Sequence, residues 1–232
     1  MRPDPNLAMV ERIAEALGSL REQLVFLGGS AAGLLLTDPA APSIRPTKDV
    51  DVIVEVTARG AYYHLEAALV AHGFRHDTRE GAPICRWRLG DFLLDVMPTA
   101  PEILGFSNRW YPEALRSAQV CDLPSGVRIR LVAPPAFLAT KLEAFFGRGD
   151  GDYLGSHDLE DLVAVIDGRP EIVDEVKAAE PALQSYLREQ LGPLLADEAF
   201  RTALQGHLPG DPGSQARFPK LMDRLRTIVT GL

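Results

Sequence analysis

The chain has few cysteines, no long hydrophobic run and a shortage of positive charge. Only Cys85 and Cys121 occur among its 232 residues. That excludes a disulfide-built scaffold, and in a reducing compartment two lone thiols behave as small buried hydrophobes. The longest uncharged apolar stretch, residues 24–36, is broken by Gly28, Gly29, Ser30 and Gly33. A membrane-spanning helix needs about 20 mostly apolar residues, so no span and no membrane partner are expected. Glu11 and Glu15 fall inside the first apolar stretch, which does not fit a signal peptide. The expected location is the cytoplasm. Lysine plus arginine total 24 against 32 aspartate plus glutamate, a net charge of −8. That balance argues against a broad phosphate-binding footprint. There is no internal repeat, no G-x-G-x-x-G and no G-x-x-x-x-G-K-[ST], so the commonest nucleotide-binding folds are excluded.

What remains is ordinary globular material, 46% apolar and 24% charged. A chain of this size buries roughly 70% of its unfolded surface without a covalent staple. Charge is uneven along it. Residues 150–198 hold 3 basic and 13 acidic side chains, whereas residues 201–226 hold 5 basic and 2 acidic ones.

Hydrophobic spacing predicts a helix over 7–20, a strand over 23–27 ending at Gly28-Gly29, and a short helix over 30–36. Three prolines in 37–47 make that stretch a loop. Residues 49–56 alternate, with Val50, Val52, Val54 and Val56 on one side and Asp49, Asp51, Ile53 and Glu55 on the other, which is a strand pattern. A helix over 58–72 with Thr57 as its N-cap follows. Two hairpins are expected, 84–89 with 92–97 across Gly90-Asp91, and 119–122 with 127–132. After Pro134-Pro135 only helical patterns remain, over 136–146, 158–166, 171–191, 194–206 and 216–230. The reading is an α+β domain over 1–132 and a helical domain over 133–232.

Four features carry chemistry. Gly28-Gly29-Ser30 sits between a strand and a helix, where glycine lets backbone approach a ligand and free N–H groups attract an anion. Asp49 and Asp51 lie two apart on one strand face, so their carboxylates repel unless a cation sits between them. Asp95 interrupts the apolar run FLLDVM, where an unpaired charge would cost several kcal/mol if buried. Lys141 and Arg148 are seven apart, two helical turns, and so share a helix face, as do Asp158 and Asp161.

Taken together, the Gly-Gly-Ser turn, the D-x-D strand and a third acid on a later strand resemble the nucleotidyltransferase superfamily, with its polymerase β-like fold. KLEAFFGR, residues 141–148, fits K-x-x-A-x-x-x-R through Lys141, Ala144 and Arg148. HDLED, residues 157–161, fits a following D-x-x-D, with His157 where that family often has lysine. These motifs, with RPTKDVDVIVEV, are similar to the AbiEii/AbiGii-type nucleotidyltransferase toxins of toxin–antitoxin systems. The fold that the resemblance implies is α+β, a mixed sheet with flanking helices followed by a C-terminal helical bundle.

The resemblance also implies a mechanism. Asp49, Asp51 and Asp95 would hold Mg²⁺, with Mn²⁺ as an alternative. Gly29 and Ser30 would hold phosphate of an NTP. Lys141 and Arg148 would meet the triphosphate, with Asp158 completing the catalytic set and, together with Asp161, orienting Lys141 or the base. A nucleoside monophosphate would pass to an acceptor, first the 3′ end of tRNA, with a cognate antitoxin as protein partner. A protein or small-molecule hydroxyl is the alternative acceptor, and an inactive nucleotide- or antitoxin-binding module the alternative from another class. Two weaker readings stand beside these. Arg86, Arg88, Arg128 and Arg130 would form one basic stripe if their hairpins were neighbours. His72, His76 and Cys85 have zinc-binding chemistry, but Gly73 breaks the helix that their spacing requires.

Overall fold

The structure, a computed structural model, describes residues 4–56, 58–148 and 151–231. It contains one seven-stranded mixed sheet and twelve α-helices among those residues. The strands are β1 (Leu24–Leu27), β2 (Asp49–Val54), β3 (Arg75–His76), β4 (Arg86–Leu89), β5 (Phe92–Pro98), β6 (Gln119–Asp122) and β7 (Arg128–Leu131). Their order in the sheet is β3-β4-β5-β2-β1-β7-β6. β2 runs parallel to β5 and antiparallel to β1, and β1 runs parallel to β7. The mixed sheet with flanking helices is the α+β architecture that the sequence predicts.

Contacts divide the chain into two compact units. One holds Pro5–Ala31 and Arg45–Ala133 and contains every strand. Its helices are α1 (Leu7–Leu17), the start of α2 (Gly28–Leu35), α3 (Arg59–Ala71), α4 (Pro101–Leu104) and α5 (Tyr111–Arg116). Both expected hairpins form. β4 and β5 turn through Gly90-Asp91, with Gly90 at φ +60°, a left-handed conformation that glycine adopts without strain. The sheet core is built from the alternation seen in sequence: Val50, Val52, Leu94, Val96 and Trp87 are fully buried. The expected N-cap Thr57 lies outside the described residues.

The other unit is helical: α6 (Pro134–Arg148), α7 (His157–Gly168), α8 (Ile172–Ala178), α9 (Pro181–Ala196), α10 (Glu198–Gly206), α11 (Pro212–Gln215) and α12 (Phe218–Thr230). α7 begins where Ser156 accepts a hydrogen bond from the Leu159 N–H, and Asp158 and Glu160 sit in its first turn, where the helix dipole favours acids. No described helix is long and apolar enough to cross a membrane.

Residues 32–44, placed by sequence with the N-terminal domain, group instead with these helices. The end of α7 explains why. The Gly168 carbonyl accepts from the Thr37 and Asp38 N–H groups at 3.1 and 2.9 Å. A Cβ at Gly168 would lie 2.9 Å from Leu36 Cδ2 and 3.1 Å from Ala41 Cβ, so the close approach requires glycine. Arg217 then ties the segment down, donating to Asp38 and to buried Asp167, each at 2.7 Å.

Replacing Arg217 with alanine leaves Asp167 buried without that partner. Removing one member of a buried ion pair costs about 3–5 kcal/mol. The partial exposure of Arg217 places this site at the low end, so R217A is expected to destabilise the helical unit by about 3 kcal/mol. Chemical denaturation followed by far-UV circular dichroism measures this, and an unchanged midpoint would contradict it.

Candidate functional site

β2 and β5 pair in parallel with Asp51 opposite Asp95 and Asp49 opposite Leu93. Residues paired this way project to one face, so the register puts Asp49, Asp51 and Asp95 together. β1 supplies the other wall. Leu27 pairs with Asp51, and the next residue, Gly28, opens α2 at φ +72°. A Cβ at Gly28 would lie only 2.8 Å from that of Asp51, so the Asp51 side chain packs over the bare glycine. Gly29 and Ser30 continue the turn, and both are buried. The Gly-Gly-Ser turn and the D-x-D strand are thus physically joined.

The sequence reading missed Arg86 as part of this cluster. It faces Asp95 across the β4–β5 ladder. Its Nε donates to Asp95 Oδ1 at 2.8 Å and its Nη2 to Asp95 Oδ2 at 2.7 Å. The same Nη2 also donates to Asp49 Oδ2. Among the described residues no three acidic, histidine or cysteine side chains stand close enough to hold a metal ion together as placed. The signal for Arg86 was its position opposite Asp95 in the hairpin, which can be read once Gly90-Asp91 is taken as a two-residue turn.

Burial raises the Asp49 carboxyl above its ordinary value, and the Asp95 charge adds to this, while Arg86 and Arg45 oppose it. The bonds to Asp95 raise Arg86 further, so it stays a cation at any physiological pH. Cys85 is free and buried, and burial together with the Asp95 and Asp51 charges pushes its thiol up to about 12. It is an inert packing residue. Cys121 is also free.

The helical unit carries the second set. Lys141 Nζ lies 3.1 Å from Asp158 Oδ1 and 2.6 Å from Asp161 Oδ2, and all three residues are buried. Arg148 donates to both Asp158 oxygens at 3.1 Å. The two sequence motifs therefore meet in one ionic network joining α6 to α7. Burial works to raise the Asp158 pKa, but Lys141 and Arg148 outweigh it and hold the carboxyl below its ordinary value. His157 stands outside the network and pairs with Glu160.

Two weaker expectations fail. The arginine stripe does not form, because β4 and β7 are separated by β5, β2 and β1, about 19 Å at the usual strand spacing. Its members are also engaged, Arg86 with the acids, Arg88 with the Gly90 carbonyl, Arg128 with Asp122, and Arg130 with the Leu115 carbonyl. The zinc-like set does not assemble either. α3 ends at Ala71, His72 bonds to the Ala16 carbonyl oxygen, and His76 pairs with Glu66.

No protein-family model and no curated protein matches this chain. Solved structures do. The solution structure of the antibiotic-resistance factor ANT(2'')-Ia aligns with a TM-score of 0.50 at 18% identity, over 81% of this chain and 94% of that one. The crystal structure of a candidate nucleotidyltransferase from H. pylori aligns with a TM-score of 0.51 at 13% identity, over 99% of this chain and 97% of that one. The fold is that of these nucleotidyltransferase structures.

The Lys141 network has a pH signature. Asp158 has a native pKa below its unfolded value near 3.9, so its contribution is complete above about pH 4 and is lost as pH falls through the native value. Lys141→Met should destabilise the helical unit by about 3–5 kcal/mol at pH 7, by leaving two buried carboxylates without their shared cation. The deficit against wild type should shrink as pH falls toward and below about 4, because Asp158 without Lys141 takes up its proton at a higher pH than in wild type. Thermal midpoints from pH 7 to pH 2.5 check this, and a pH-independent deficit would refute it.

Proposed function

We propose that the chain is a metal-dependent nucleotidyltransferase that moves a nucleoside monophosphate from an NTP to an acceptor hydroxyl. The observation that carries this reading is the in-register pairing of Asp51 with Asp95, with Asp49 beside them and Gly28 packed under Asp51. Three carboxylates on neighbouring strands would form a hard-oxygen donor set on drawing closer than they stand as placed, and such a set suits Mg²⁺ or Mn²⁺. Asp49 and Asp95 already share one cationic group, the Arg86 guanidinium, so the arrangement suits positive charge. Asp49, Asp51 and Asp95 are the residues that would hold the metal. The chemistry it would supply there is neutralisation of charge on the triphosphate and the departing pyrophosphate.

The remaining roles belong to the chain itself. The N–H groups at the start of α2 and the Ser30 hydroxyl receive phosphate oxygens. In this reading Asp95 orients the attacking hydroxyl and takes its proton as the new O–P bond forms at the α-phosphorus. The bond from the α-phosphorus to its bridging oxygen breaks, and pyrophosphate leaves with the electron pair. The motif resemblance also assigns Lys141, Arg148 and Asp158 to the triphosphate; within the helical unit these three side chains bind one another.

The acceptor we place first is the 3′ end of tRNA, in a toxin-like role with an antitoxin partner. The support is the similarity of residues 141–148, 157–161 and the RPTKDVDVIVEV strand to AbiEii/AbiGii-type toxins. A small-molecule hydroxyl is the second reading. It is favoured by the net charge of −8, by the unformed arginine stripe, and by the likeness to an antibiotic-resistance factor over 94% of that chain.

The test uses each labelled NTP with Mg²⁺, presented with total RNA, with a protein fraction, and with aminoglycosides. Asp51→Asn keeps side-chain size but removes one of the crowded charges. Its thermal midpoint without metal should equal or exceed that of wild type. Its transfer should fall by about a thousandfold, since several kcal/mol of phosphoryl stabilisation is lost at ~1.4 kcal/mol per tenfold. Wild type that transfers to none of the acceptors, or an Asp51→Asn variant with full transfer, sinks the proposal.

A further inference from the structure

Arg86 sits where the carboxylates would have to be free. Its fork takes both oxygens of Asp95, at 2.8 and 2.7 Å, the two-pronged geometry in which guanidinium binds carboxylate most strongly. Its third bond reaches Asp49 on a different strand, which turns a pair into a bridge across β4, β5 and β2. The strand register fixes this placement. Arg86 pairs directly with Asp95, and Asp95 pairs directly with Asp51. An alanine or leucine at position 86 would leave three carboxylates with one fewer cation among them.

A divalent ion binds carboxylate oxygens at roughly 2.0–2.1 Å for Mg²⁺ and repels a guanidinium held on the same oxygens. The two cations therefore compete for Asp49 and Asp95. We infer that Arg86 is an internal counter-cation that occupies the carboxylate cluster until a divalent ion displaces it from Asp49 and Asp95. This rests on the reading of the cluster as a metal site, and it adds a regulatory property to that reading. Metal alone must overcome the guanidinium, whereas metal arriving with a triphosphate brings a second set of oxygens. Arg86 thus ties metal loading to nucleotide loading. Its side chain is 18% exposed, so it has room to swing toward water.

The test is a Mn²⁺ titration of the full chain, read by the loss of the free-ion paramagnetic resonance signal, without and with NTP. Arg86→Gln should bind Mn²⁺ alone at least about tenfold tighter than wild type, because one competing positive charge is gone. Arg86→Lys keeps the charge but lacks the fork, so its affinity should lie between the two. Adding NTP should tighten wild type more than Arg86→Gln. If Arg86→Gln folds only with Mn²⁺ present, that rescue supports competition for the same oxygens. Unchanged or weaker Mn²⁺ binding in both variants overturns the inference and makes Arg86 a brace for the acids. Wild type that binds Mn²⁺ with these variants unchanged leaves the transferase reading standing. Wild type and both variants that bind no Mn²⁺, even with NTP, overturn both.

Discussion

The register of β2 against β5 governs the rest of the N-terminal unit. Side chains alternate along a strand, so a slip of one residue would send Asp95 to the opposite face from Asp51. The acids cannot set that register themselves, since like charges repel. The apolar residues between them do. Val50, Val52, Leu94 and Val96 are all fully buried, and each contributes roughly 1.5–3 kcal/mol on burial. Together these terms outweigh the repulsion among partly solvated carboxylates. One face of the ladder therefore provides the stability and the other holds the three carboxylates.

Charge compensation explains the second unit in the same terms. The acid-rich stretch 150–198 looks like a solvated surface when only its composition is counted. In the fold, Asp158, Asp161 and Asp167 are buried and answer Lys141, Arg148 and Arg217. The basic residues of the tail complete the pattern, with Arg217 on Asp167 and Arg224 on the Ile166 and Asp167 carbonyls. Through Arg217 and Arg224 the basic stretch meets the acidic one at a packing interface between α7 and the C-terminal segment that includes α12.

Local chemistry was legible in the sequence and long-range pairing was not. The D-x-D strand, the Gly90-Asp91 hairpin and the long helices follow from periodicity and turn residues that lie close together. β3 has two residues, too few to show a period. α4 and α5 are one or two turns long, and their only signs were Pro101 and Pro112 near their starts. The 171–191 helix divides at Ala179–Glu180 into α8 and α9, a break that apolar spacing alone did not reveal. The association of 32–44 with the helical unit depends on Gly168, over 120 residues away in sequence. Arg86 was read only as a member of an arginine stripe, although the two-residue turn already set it opposite Asp95, and the stripe failed because strand order in the sheet is not strand order in the chain.

The two ionic clusters are built alike and differ in how closed they are. Lys141, Asp158 and Asp161 are shut away, with Asp161 only 2% exposed. Asp49 keeps 28% of its side chain open to solvent while Arg86 bridges it to Asp95. Hydrophobic residues of similar volume often replace a buried ion pair at no loss of stability, so neither cluster is the cheapest way to fill its space. A closed, saturated network does the work of fixing α6 against α7 in one arrangement. The open one leaves Asp49 within reach of solvent, with Arg86 bridging it to Asp95 and a glycine held bare beneath Asp51. Exchange of one cation for another requires openness of that kind, and the displacement of Arg86 proposed above depends on it.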